Sequence, residues 1–120
     1  MGDQTNAIRE LNDRFRTNLP NRCDIPGRVM LTQGIQQLVD DEADPGKHLA
    51  DLFRAIREFD HFDAGNDPHC EHDFGAIDFR GEKVFWKIDY YAPDLLHGSE
   101  DAADVTRTMR VLTIMLASEY

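Results

Sequence analysis

Apolar positions recur along this chain with two periods, and the periods divide it into predicted elements. Ile8, Leu11 and Phe15 are spaced as one helical face, while Arg9, Asp13 and Arg16 fall elsewhere, which predicts a helix over residues 4–17. Pro20 ends it, and residues 18–27 read as a loop. Residues 28–31 (RVML) predict a short strand, and Ile35, Leu38 and Val39 a helical turn or two. Asp44-Pro45 is a helix-start pair, with Asp as N-cap and Pro at the first helical position. Leu49, Leu52, Phe53, Ile56 and Phe59 then mark the clearest amphipathic face in the chain, over residues 45–59.

Beyond it the period changes. Residues 60–72 are polar, contain Gly65, Asn66 and Pro68, and predict a long loop of the kind that often carries function. Residues 74–79 and 83–91 predict two strands joined by a tight turn at Arg80-Gly81-Glu82. On the second strand Val84, Trp86, Ile88 and Tyr90 alternate with Phe85, Lys87, Asp89 and Tyr91, and the first set is expected to face the core. Residues 92–99 read as a loop. Val105, Met109, Leu112, Met115 and Leu116 then suggest a last helix over residues 102–118, with Glu100, Asp101 and Asp104 at its start. The expected fold is α+β: a single domain, residues 1–120, in which three helices pack as one layer against a small antiparallel sheet containing a β-hairpin.

Composition narrows the class. The 120 residues are 41% hydrophobic and 30% charged, a globular mixture. Asp and Glu number 23 against 13 Lys and Arg, for a net charge of −10. That balance argues against direct binding to nucleic acid or to an anionic membrane. No stretch approaches a membrane span, and the first residues show no basic region followed by an apolar run, so no secretory signal is expected. Met1-Gly2 opens a lipidation pattern that Asn6 breaks. Cys23 and Cys70 form no CxxC, which fits a reduced, cytoplasmic setting.

The charge is unevenly placed. Residues 1–38 carry four acids and five bases, and residues 39–120 carry nineteen acids and eight bases. Fifteen of the 23 acids lie in three stretches without Lys or Arg: residues 40–44, 58–73 and 89–104. Solvated loops and helix caps account for any one run, whereas three runs in one small domain suggest a functional acidic face. Carboxylates spaced along a surface imitate a phosphate backbone and suit a basic groove on another protein.

The densest set of reactive side chains is Asn66-Asp67-Pro68-His69-Cys70-Glu71-His72-Asp73. A metal reading would use His69, Glu71, His72 and Asp73, although the spacing is neither HExxH nor paired CxxC. The plainer reading is a polar loop whose side chains bond turn backbone. Cys70 lies between two histidines, but Glu71 and Asp73 disfavour its thiolate. The chain contains no GxSxG, P-loop or GxGxxG. In Trp86-Lys87-Ile88-Asp89-Tyr90-Tyr91, strand packing explains the aromatics, and Tyr91 and Lys87 on the face opposite Trp86 would reach a partner.

Several blocks together resemble an uncharacterised bacterial family of short proteins, a domain of unknown function often encoded on plasmids and other mobile elements. They are Leu11-Asn12-Asp13 with Phe15-Arg16, Asn66-Asp67-Pro68-His69 with Glu71-His72-Asp73-Phe74-Gly75, Phe85 to Tyr91, Gly98-Ser99-Glu100-Asp101, Arg110 to Ala117, and Glu119-Tyr120. Cys70 departs from the pattern, which would have a small residue such as Gly there. The resemblance implies no activity and no catalytic residue. It implies a setting, since small accessory proteins of mobile elements often counter host defence.

The expectation is therefore a non-enzymatic inhibitor, without cofactor, that occludes or mimics nucleic acid at the basic groove of a host defence nuclease or CRISPR effector. Its contact residues would be Asp40, Asp41, Glu42, Asp44, Asp60, Asp63, Asp67, Glu71, Asp94, Glu100, Asp101 and Tyr91. Reversing charge at Asp63 and Asp67 should then weaken binding without unfolding the domain. The second reading is a metal-binding protein or metal-dependent hydrolase built on residues 69–73. A homodimer is allowed by either.

Overall fold

The computed structural model describes residues 3–120; Met1 and Gly2, the start of the broken lipidation pattern, lie outside the described residues. Four elements come first: α1 Asp3–Thr17, β1 Gly27–Leu31, α2 Gln33–Val39 and α3 Lys47–Arg57. Three strands follow, β2 Phe74–Phe79, β3 Glu82–Tyr91 and β4 Met109–Leu116, with 3-10 turns at Val105–Arg107 and Ala117–Glu119. The strand order is β1-β4-β3-β2. β3 pairs antiparallel with β2 and with β4, while β1 runs parallel to β4, so the sheet is mixed and open. The α+β layering of helices on a small sheet with a β-hairpin is the expected one; the parallel β1–β4 pair departs from the expected antiparallel sheet, because the long crossover through α2, α3 and the hairpin lets β4 return beside β1 in the same direction, and α2 stands as the third helix.

One element differs in kind. The helix expected over residues 102–118 is instead β4, a central strand hydrogen-bonded on both sides. Residues 110–116 are Arg-Val-Leu-Thr-Ile-Met-Leu, an apolar run that satisfies helical spacing and strand alternation alike. Its β-branched Val111, Thr113 and Ile114 and its eight-residue length suit a strand. Glu100, Asp101 and Asp104, read as helix-start acids, belong to the turns before it. The start of α3 is also later than Asp44-Pro45 predicts. Gly46, at φ 87°, is its N-cap, and Asp44 supplies only a carbonyl to Lys47 N–H.

The helices cover one face of the sheet. Val84, Trp86 and Ile88 of β3 and Leu112 and Ile114 of β4 are buried against Phe15, Ile35, Leu52 and Ile56 from the three helices. Gly75 pairs with Trp86 across β2 and β3, and a Cβ there would run into the indole, so only glycine admits this ring. The β2–β3 turn is Arg80-Gly81, both at positive φ (52° and 82°), as the tightest hairpin connections require.

Register also defines two ends. The starts of β1, β2 and β4 and the finish of β3 lie together, as the pairs Gly27 with Arg110, Phe74 with Lys87 and Tyr91 with Met109 show. This loop end carries residues 18–26, 58–73 and 92–108. The turn end carries the Arg80-Gly81 turn and the passage from β1 into α2. Eight residues of β4 separate the two by roughly 25 Å. Among the described residues, no helix is long and apolar enough to cross a membrane.

Candidate functional site

The loop end is anchored by polar side chains that the core has swallowed. The buried stripe of α1 is Ile8, Asn12, Phe15 and Arg16, continuing to Leu19, so two of its positions are polar. Arg16, which the spacing places off the Ile8, Leu11 and Phe15 face, is only 3% exposed. Asn12 is fully buried and uses both ends of its amide. Its Nδ2 donates to the Glu71 carbonyl (2.9 Å) and the Tyr90 hydroxyl (2.8 Å), and its Oδ1 accepts from Arg110 Nε (2.7 Å). Tyr90 passes its own hydrogen to Glu71 Oε1 at 2.8 Å. Burial pushes the Tyr90 phenol well above its ordinary value; the bond from Asn12 opposes this and the bond to Glu71 adds to it. One helix and two strands are thereby tied to the long loop through a single amide.

Two buried arginines frame this network. Arg110 lies over the Tyr90 ring and donates to the Ala102 carbonyl at 2.7 Å, tying the β3–β4 connection to β4. Arg16 lies over Phe62 and Trp86 and donates to the carbonyls of Ile56, Arg57 and Phe59, where α3 runs out. Burial lowers the pKa of both guanidinium groups. Asp13, which pairs with Arg16, also accepts from His72 Nδ1 at 2.9 Å. The His72 ring stacks on Phe62 at 3.8 Å.

Asp67 shapes the loop itself. It is 5% exposed, and its Oδ1 accepts the backbone N–H groups of Glu71 and His72, both at 3.1 Å. Such a turn forces left-handed backbone at Cys70 (φ 58°) and His72 (φ 54°). The departure from glycine at position 70 is thus a departure at a site where glycine has a physical advantage. Charge reversal at Asp67 would destroy the turn. Asp63, which accepts from the N–H groups of Gly65 and Asn66, is also structural, so that pair of substitutions is a test of folding.

Several other acids hold turns in the same way. Asp94 accepts from Leu96 N–H, Asp101 from Ala103, Asp104 from Thr106 and Asp41 from Ala43. Much of the acidic excess is therefore loop punctuation, the side chain bonding backbone two residues on. These bonds hold the carboxyls of Asp41 and Asp94 below the usual carboxylate value, and the Thr106 hydroxyl, with the Thr106 N–H behind it, does the same for Asp104.

The acidic runs do not form one face. Runs 58–73 and 89–104 meet at the loop end, where Gln4 of α1 reaches Asp101 and Arg9 reaches the Cys70 carbonyl. Asp40, Asp41, Glu42 and Asp44 sit at the turn end, where Asp41 pairs with His48 (3.0 Å) and Arg80 of the hairpin turn lies against the same ring. Within the loop end Asp60, Asp63, Asp94 and Glu100 are exposed, whereas Asp67 and Glu71 bond inward. Tyr91 stands on the sheet face that the helices leave open.

The metal set disperses. His69 is exposed, His72 faces Asp13, Glu71 takes the Tyr90 hydroxyl, and burial raises the pKa of Asp73. Among the described residues, no three His, Cys, Asp or Glu side chains gather in a group that could hold a metal ion. The residues that organise the site and that sequence reasoning passed over are Asn12, Asp13, Arg16, Tyr90 and Arg110. The available signal was Asn12 and Arg16, four apart beside Phe15 on the apolar side of α1, and Arg110 at the head of an apolar run.

No curated protein and no solved structure matches the chain. A family model described as a protein of unknown function, DUF3768, matches residues 31–119. That span takes in both acidic loops, the hairpin and β4, and it starts at the last residue of β1. The chain belongs to the DUF3768 family.

Proposed function

We propose that this protein is a small, non-enzymatic, protein-binding factor that seats its loop end in a basic, nucleic-acid-binding groove of a partner. One observation carries the reading. Loops 58–73 and 92–104 contribute ten acids and no Lys or Arg of their own to one end of the sheet, where Arg107 just beyond them offsets Glu100 at 2.6 Å, and buried side chains hold both loops in place. A fixed array of carboxylates costs little ordering on binding and steers encounter with a positive groove. The contact set is Asp60, Asp63, Asp94, Glu100 and Asp101. Asp40, Asp41, Glu42 and Asp44 lie beyond it at the turn end. The mobile-element setting expected from the family resemblance makes a host defence nuclease, of restriction or CRISPR type, the partner class to test first.

The test is affinity capture from a bacterial lysate with intact defence systems, using the wild-type chain, Asp60→Lys with Glu100→Lys, and Asp40→Lys with Glu42→Lys. At low salt the wild type and the turn-end variant should retain the same nucleic-acid-binding protein, and the loop-end variant should lose it. High salt should release it from all three. Retention by the loop-end variant, or capture of no nucleic-acid-binding protein, overturns the proposal.

A further inference from the structure

The sheet has a second face, and the helices do not cover it. It carries Arg28 and Met30 of β1, Val111 and Thr113 of β4, Phe85, Lys87, Asp89 and Tyr91 of β3, and Phe74 of β2, as the strand registers require. Tyr120 closes edge-on over Phe74 and Phe85 and covers that corner. The remainder is a shallow concavity of about 500 Å³ between Met30, Val111, Thr113, Tyr91 and Leu95. Met30 is 50% exposed on it, and Leu96, beside Leu95, is 81% exposed. Leu95 is held at φ 63°, a conformation costly for leucine, and it lines the concavity.

We infer that this open sheet face is the dimer interface, two copies packing face to face. Charge singles out a second copy as the occupant. The chain carries −10, yet on this face Arg28, Lys83 and Lys87 outnumber Asp78 and Asp89, and Lys87 and Asp89 neutralise each other at 2.7 Å. A near-neutral apolar face on an acidic protein is where like-charged copies meet with least repulsion. Area agrees. Four strands about 4.8 Å apart and roughly 25 Å long present about 500 Å². Two copies would bury about 1,000 Å², the lower bound for a specific interface and the range of a weak dimer. In a two-fold arrangement each Met30 enters the partner's concavity.

Salt separates this contact from the proposed acidic one. Screening strengthens self-association of acidic copies through an apolar face and weakens an acid–base contact. Sedimentation of the purified chain from 1 to 500 µM, at 0.05 and 0.5 M salt, should show a monomer–dimer equilibrium that tightens several-fold at high salt. Met30→Lys and Val111→Lys should each weaken it at least tenfold, with Met30→Gln intermediate and circular dichroism unchanged. A monomer across the whole range overturns the inference and leaves the face to a different occupant. A dimer that both lysine variants leave intact overturns it too, pointing to the free edges of β1 or β2.

Discussion

The two ends of this sheet are both acidic and are built differently. At the turn end the acids of residues 40–44 surround a surface clasp, Asp41 with His48 and Arg80. At the loop end the acids stand on loops pinned from beneath by Asn12, Arg16 and Arg110, each buried. The difference shows that a count of carboxylates does not define a surface. Topology decides which charges act together, and the buried polar atoms decide which of them are held still.

The contrast breaks most sharply at Asn12. Replacing it with leucine strips partners from Arg110 Nε, Tyr90 and the Glu71 carbonyl, and should cost about 3–5 kcal/mol in urea unfolding. The matching change at the turn end, Arg80→Ala, removes only a surface contact and should cost less than about 1 kcal/mol. Equal costs would mean that the loop end is no better anchored than the turn end.

Binding should separate the ends next. Asp60→Lys with Glu100→Lys should weaken partner affinity more than about tenfold by titration calorimetry, and Asp40→Lys with Glu42→Lys less than about twofold. Asp40, Glu42 and Asp60 hold no turn through their side chains, and Glu100 gives up only an exposed ion pair with Arg107, so thermal midpoints should stay near wild type. Backbone strain gives a smaller contrast of opposite sign. Cys70→Gly relieves a left-handed residue and should add about 1 kcal/mol, or about 4 °C in the thermal midpoint. Gly81→Ala at φ 82° in the hairpin turn should lose a similar amount.

Acid titration gives the smallest effect. Burial raises the pKa of Asp73 above the ordinary carboxyl value of 3.8, so the folded state holds this proton to higher pH than the unfolded chain. The stability it contributes is full below pH 3.8 and is lost as pH rises through the folded-state value. Asp73→Asn should therefore stabilise the protein more at pH 7 than below pH 3.8, measured by urea midpoints. Asp94 and Asp104, whose pKa values are lowered by hydrogen bonds, run the other way. Their contribution is present above pH 3.8 and is lost as pH falls through their lowered values.

The elements legible in the sequence are those where one period stands alone: α1, α3 and the alternating β3. β4 was not legible, because a strand buried on the helix side and half-buried on the other shows a continuous apolar run. The acidic runs were visible as composition. That Asp67 turns inward while Asp60 faces water depends on which backbone N–H groups lie two to five residues on. The burial of Arg16 and Arg110 follows from carbonyls and rings that only the tertiary fold delivers. Position 70 is the reverse case, where a departure noted in sequence marks a left-handed turn in the structure.

The proposed role of the loop end is to occupy a partner's nucleic-acid groove. Its most direct test is competition: the captured partner, bound to labelled nucleic acid, is titrated with the wild-type chain and with Asp60→Lys plus Glu100→Lys. The account predicts that the wild type displaces the nucleic acid and that the variant needs at least about tenfold more protein to do so. A ternary complex in which both remain bound, or equal displacement by the variant, would contradict it.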